Sequence, residues 1–313
     1  MARLLKIFLS IFAVIVLLVV VAVIALPLLV NPNDFKPEIQ AAVKDNLGRE
    51  LAIEGDMQLS VFPWIGISTG KLTLSNAEGF SEKVFAEISE SDIKVKLIPL
   101  LSKELEVSRV VLKGLVLNLA KNKQGVSNWD DLSKTETVPA TTPSQSAESE
   151  ATDVSPLAAL AIGGVSIEQA KISWDDQQQG KYVEVNDFNF STGKLVFDKP
   201  IEIDLSLTIV NKEPELTESV IFSTDLIINE QFNTFNLKGL KLESTTKGKA
   251  MPGEEVKASL VAEVAVDLVQ QTLVVAGLKL SSGEMELSAD INGKNIKDKP
   301  EFTGPIKIES FNL

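Results

Sequence analysis

The apolar residues of this chain change their spacing twice, and each change marks a different kind of element. From Ile7 to Val30 the sequence is almost wholly apolar, broken only by Ser10 and by Pro27. At ~1.5 Å per residue that run is ~36 Å long, which predicts one membrane-spanning helix. Next, Phe35, Ile39, Val43 and Leu47 recur at helical spacing within NPNDFKPEIQAAVKDNLGRE. This predicts a short amphipathic helix over 31–48, with Asn33 or Asp34 as N-cap, Pro37 in its first turn and Gly48 as C-cap. The stripe suits either a lipid surface or the following sheet, and docking on the sheet is the blander reading.

From Glu50 onward the period is two. Leu51, Ile53, Met57 and Leu59 alternate with Glu50, Glu54, Asp56 and Gln58, and Ile93, Val95 and Leu97 alternate with Asp92, Lys94 and Lys96. Ile201, Ile203, Leu205, Leu207 and Ile209 alternate with Glu202, Asp204, Ser206 and Thr208, and the pattern returns over 256–268 and 285–291. Alternation of this kind gives strands with one apolar and one wet face, the mark of antiparallel sheets. Turn signals at 121–125, 175–180, 247–249 and Asn292-Gly293 separate the strands. No long helical pattern follows Gly48, which argues against an α/β fold. The expected fold class is mainly β: a transmembrane helix, a short amphipathic helix, then a large antiparallel β-domain.

Residues 134–156 differ in kind, being rich in Thr, Ser, Pro, Ala and Glu. Such a stretch buries too little apolar surface to offset its ordering entropy, which predicts a flexible loop or linker. It separates a first β-region, 49–133, from a second, 157–313. The two share an echo: VVLKGLVLNLAKNKQG before the linker and GVSIEQAKISWDDQQQG after it, a hint of a repeated hairpin unit. The chain stops in mid-alternation at PIKIESFNL, so the expectation is that the last strand closes a sheet edge or that Leu313 is not a natural end.

Charge orients the anchor. Arg3 and Lys6 precede the apolar run and no charge follows it before Asp34. The positive-inside rule leaves residues 1–6 as a cytoplasmic stub and sends the remainder outward, as an inner-membrane protein with a periplasmic bulk. A cleaved signal peptide would have a shorter apolar region and small residues at its end, where this chain has Leu26-Pro27-Leu28-Leu29-Val30.

Composition narrows the chemistry. A net charge of -13 argues against nucleic acid as a partner. With no Cys and no His among 313 residues, the chain lacks thiol nucleophiles, the commonest general base and the commonest metal ligands. The acidic pairs Asp130-Asp131 and Asp175-Asp176 each follow a Trp at a strand end and enter a turn, where Asp is favoured for local reasons. They lack the spacing of a calcium loop. Gly163-Gly164 fits no phosphate-binding pattern, no signature singles out a Ser–Lys pair, and the cluster Phe62, Pro63, Trp64, Ile65 and Ile67 suits core packing or groove lining. The expectation is a non-enzymatic protein without cofactor or metal.

Several segments resemble the AsmA family of Gram-negative envelope proteins: the opening NPNDFKPEIQAAVKDNLGRELAIEGDMQLSVFPWIGISTGKLTLSNAEGF, then ELEVSRVVLKGLVLNLAKNKQGVSNWDDL, VSIEQAKISWDDQQQG, LVVAGLKL and FTGPIKIESFNL. They occur in order along essentially the whole chain, which is similar to the N-terminal part of a longer member. The resemblance implies an inner-membrane anchor, a periplasmic β-domain and a role in outer-membrane biogenesis tied to outer-membrane protein assembly and lipopolysaccharide levels. Larger TamB-type relatives resemble chorein-type bridges that carry phospholipid along a β-groove. The family has no catalytic residues to transfer.

Beside that resemblance stands a physical case. Exposing a phospholipid with two ~16-carbon chains to water costs on the order of 25 kcal/mol, at ~0.8 kcal/mol per methylene. An open twisted sheet, apolar on one face, would remove most of that barrier. The groove-lining candidates are Ile53, Met57, Leu59, Ile93, Val95, Leu97, Ile203, Leu205 and Leu207. A closed sandwich would pack the same residues on one another, and alternation fits both. About a dozen strands at ~4.8 Å give a sheet ~60 Å wide, at most one end of a conduit across a periplasm. The leading reading is a lipid-handling envelope protein, with phospholipid or lipopolysaccharide as ligand. The alternative is an assembly factor that holds envelope proteins.

Overall fold

A computed structural model describes residues 31–61, 64–96, 106–132, 161–249 and 251–310. The predicted anchor 7–30, the linker 134–156 and the candidate Leu97 lie outside them. Among the described residues no helix is long and apolar enough to cross a membrane.

Helix α1 (Lys36–Leu47) follows a 3-10 turn, Pro32–Phe35. The expected capping shifts: Asn31 caps the turn through the amide of Asn33, and the N-cap position of α1 is Phe35, without a side-chain bond. Asn33 is diverted to the sheet. Gly48 ends the helix at φ 66, as predicted, with its amide donating to the Lys44 carbonyl. Side chains of this N-terminal segment cover the sheet's first edge. Asn33 accepts from the Met57 amide (2.9 Å) and donates to its carbonyl (3.1 Å), Lys36 donates to the Gly55 carbonyl, and Gln40 to that of Leu51. These bonds satisfy edge groups that would otherwise recruit another strand. The apolar stripe is only partly used: Val43 and Leu47 are half-buried, whereas Phe35 and Ile39 are exposed.

All strands among the described residues belong to one sheet. The early strands come in pairs that are halves of longer strands: β1 (Leu51–Ile53) with β2 (Gln58–Ser60), β3 (Trp64–Thr69) with β4 (Leu72–Ser75), and β5 (Val84–Ile88) with β6 (Glu90–Lys96). After β7 (Glu106–Val107), the same holds for β8 (Val110–Lys113) and β9 (Val116–Lys121). These rows pair antiparallel in sequence order. After β10 (Ala161–Ile162) the strands lengthen: β11 (Val165–Asp176), β12 (Lys181–Thr192), β13 (Ile201–Lys212), β14 (Glu215–Ile228), β15 (Thr234–Lys247), β16 (Glu255–Asp267), β17 (Thr272–Ser282) and β18 (Met285–Lys294). They form an antiparallel meander that ends in β19 (Glu301–Thr303) and β20 (Ile306–Ser310) against β18. Among the described residues the first and last rows do not pair, so the sheet is open.

One seam departs from the antiparallel expectation. β11 runs parallel to both β8 and β9, and β10 runs parallel to β7. A parallel neighbour needs a connection of roughly a dozen residues or more, and the stretch between β9 and β10 supplies it. The two β-regions therefore meet side by side in a single sheet. The echoed segments are the strands of this seam, with Val165 beside Val110 and Asp176 beside Lys121. What repeats is one bulged strand and its turn, closed by Gly125 (φ 84) and Gly180 (φ 65), rather than a hairpin.

Candidate functional site

Residues opposite each other in a ladder share a face, so the registers trace what each face carries. One line runs Leu112–Ile167–Phe190–Leu205–Phe222–Leu242–Leu260–Leu280–Leu287–Ile308, crossing the sheet from β8 to β20 without a polar residue. Towards the first edge it continues into Ser91 and Thr69, whose hydroxyls are 2.7 Å apart. A flanking line reads Leu51–Leu74–Ala86–Leu117–Ile172–Val185–Ile209. On the other flank lies Ile201–Leu226–Leu237–Val264–Val275–Ile291. The opposite face carries lines such as Ser191–Asp204–Ser223–Lys241. Short ion pairs there include Lys241–Glu243 at 2.7 Å and Lys307–Glu309 at 2.6 Å.

No second layer covers the apolar face among the described residues. The buried apolar residues among those described are Met57, Phe85, Ala120, Ala170, Ile201, Ala262 and Ala289, and the large residues of the central line are not among them. In a sandwich they would interdigitate with a second sheet and vanish from the surface. Here they shield one another sideways and stay half-buried, and Ile308 at the margin is 57% exposed. The closed sandwich is ruled out for this part of the chain.

Of the sequence-predicted residues that lie among those described, all but one fall on this face. Leu205 is in the central line; Ile203 and Leu207 flank it on β13, opposite Thr224 and Val220. Ile53 lies opposite Leu72. Leu59 and Ile93 both face Ile67, two residues from the Thr69–Ser91 pair, and Val95 faces Ile65, four residues from it, so all lie on its face. Met57 is instead buried in the bend between β1 and β2, its backbone clamped by Asn33. Sequence reasoning passed over Phe190, Phe222 and Leu242. The missing signal is a phase shift: in β15, Phe235 and Leu237 precede Leu240 and Leu242, and in β17, Leu273 and Val275 precede Leu278 and Leu280.

Each shift is a β-bulge. Gly114 (φ 60), Gln169 (φ 55), Asp187 (φ 51), Gly239 (φ 59) and Gly277 (φ 60) sit at mid-strand in the left-handed region. The ladder slips beside them, as between Leu237/Leu240 and between Val275/Leu278. Three bulged amides find a side chain on the next strand: Gln169 donates to Asn189 Oδ1, Gly239 to Glu263 Oε1 and Gly277 to Asp290 Oδ1, at 2.9, 3.0 and 2.7 Å. Bulges bend and further twist the strand that carries them. Repeated across neighbouring strands, they crease the sheet while the apolar residues keep to one face.

The acidic pairs serve the fold. Arg49, 2% exposed, forms a fork with Asp131 at 2.6 and 2.9 Å, donates to the Asn128 carbonyl and stacks 4.4 Å from the Phe85 ring centre. The guanidinium hydrogen bond holds the Asp131 carboxyl below its usual range. Asn128, fully buried, donates to Asn76 and to the Asn118 carbonyl and accepts from the Ala120 amide. Asp130 accepts from the Ser127 amide, Asp176 accepts from the amides of Gln178 and Gln179, and Trp129 packs 5.4 Å from Trp174. Among the described residues no cluster of carboxylates could hold a metal ion.

Comparison with known proteins bears on this architecture. A family model described as the AsmA family matches residues 1–299. Protein AsmA of Escherichia coli (strain K12) is 33% identical over 123 residues, 39% of this chain and 20% of that protein. The match thus spans about a fifth of the curated relative's length. No solved structure matches. The chain belongs to the AsmA family.

Proposed function

We propose that the protein is an inner-membrane-anchored, periplasmic member of its family whose open sheet face receives the acyl chains of phospholipid or lipopolysaccharide during outer-membrane biogenesis. The family is associated with envelope and outer-membrane assembly. The observation that carries the reading is the unbroken apolar line from Leu112 to Ile308, left without a covering layer. A contiguous apolar face of this extent calls for an apolar occupant. Acyl chains supply one at about 0.8 kcal/mol per methylene removed from water. Exposed Phe35 and Ile39, close behind the predicted anchor, suit a helix resting at the bilayer surface.

The test is lipid retention by the full chain, purified from an envelope and extracted with organic solvent for mass spectrometry. Leu205→Asp and Leu260→Asp place a charge on the central line and leave the anchor's own lipid shell unchanged. Loss of bound lipid in folded variants supports the reading; equal lipid in all three proteins contradicts it. A second reading, a factor that holds envelope proteins, draws on the last strand, where Ile306 and Ile308 are 64% and 57% exposed. Envelope protein co-purifying without acyl chains would favour it.

A further inference from the structure

The apolar face contains a carboxylate that the fold does not use. Across β13 to β16 one line reads Ile209–Glu218–Thr246–Val256, and the line beside it reads Leu207–Val220–Ser244–Ala258. Glu218 is half-buried, with Ile209 across the ladder and Val220 along its own strand on the same face. Among the described residues it takes part in no ion pair or side-chain hydrogen bond. The cations nearest in register, Lys247 and Lys257, belong to the opposite face, where both pair with Glu255. Thr246 and Ser244 place two hydroxyls next to the carboxylate, at the margin where the apolar field ends.

We propose that this margin reads the lipid headgroup, selecting diacyl lipids that carry an ammonium group. This rests on the acyl-chain reading above. Chains laid along Phe222 and Leu242 bring the headgroup to the Glu218 margin and displace water from it. A carboxylate stripped of water without a counter-charge is costly, so a headgroup that brings a cation is favoured. An anionic headgroup meets like charge there, and the net charge of -13 adds to the bias. The hydroxyls of Ser244 and Thr246 remain to donate to the phosphate or ester oxygens.

The experiment uses the full chain in vesicles holding phosphatidylethanolamine and phosphatidylglycerol with identical acyl chains. A benzophenone amino acid replaces Leu205, and photo-adducts are weighed by mass spectrometry. The expected ratio of ethanolamine to glycerol adducts exceeds that of the vesicle by about fivefold, the size of one partly exposed ion pair. It falls to the vesicle ratio in Glu218→Gln and below it in Glu218→Lys, while both variants keep the parent's thermal melt. Adducts in the vesicle ratio from the parent, or a preference that survives in Glu218→Gln, overturn the headgroup assignment and leave the acyl-chain reading standing. No lipid adduct from any of the proteins overturns both.

Discussion

Arg49 shows how a single side chain ties distant parts of this chain together. It is one of three arginines, and it brings the start of the β-region, Ser75, Asn128 and Asp131 to one point. Its fork needs planar donors in fixed geometry, which lysine does not offer. Arg49→Ala leaves the buried Asn128 carbonyl without its donor and the partly exposed Asp131 carboxylate without its partner, so the stability measured by urea unfolding should fall by about 1–3 kcal/mol. Asp131 makes the pH dependence specific. Its folded pKa is depressed, so its contribution is present above the unfolded value and lost as pH falls through the folded one. The stability gap between the parent and Asp131→Asn should be open at pH 7 and close as pH drops below about 4. A gap that persists at low pH would contradict the pairing. The turn role of Asp130-Asp131 was legible from local chemistry, because Asp after an aromatic at a strand end favours a turn. The partner was not legible, because the contact between Arg49 and Asp131 depends on tertiary placement alone.

At the scale of the strand, the bulges decide both shape and legibility. Where alternation is unbroken, as from Ile201 to Ile209, the sequence places the strand and its buried parity correctly. Where a bulge intervenes, the parity flips, and a window read across Gly239 or Gly277 averages two opposite phases into no pattern. A Cβ at Gly277 would meet nothing within 4 Å, so the cost of a side chain there is purely that of its backbone conformation. Gly277→Val should therefore destabilise by about 1–2 kcal/mol, and Gly277→Asn by less than half as much, since Asn tolerates the left-handed region. Equal losses would show that the bulge is not held at that conformation. The cap is a separate contribution: Asp290→Ala removes the acceptor of the Gly277 amide and should cost about 1 kcal/mol, read from the same urea midpoints.

Across the whole molecule, the sequence specified a two-faced sheet but could not say what the apolar face meets. Strands of an open sheet and of a sandwich alternate alike, and only the path of the chain separates them. That path was hidden at the seam, since nothing in β8, β9 or β11 marks a parallel neighbour. The central claim is that one face, and only one, contacts acyl chains along its length. Benzophenone placed in turn at Leu205, Ser206, Leu207, Ser259, Leu260 and Val261 of the full chain in envelope membranes tests it most directly. Lipid adducts at Leu205, Leu207 and Leu260, with none at Ser206, Ser259 or Val261, are the predicted result. Adducts at both parities, or at neither, would contradict the account.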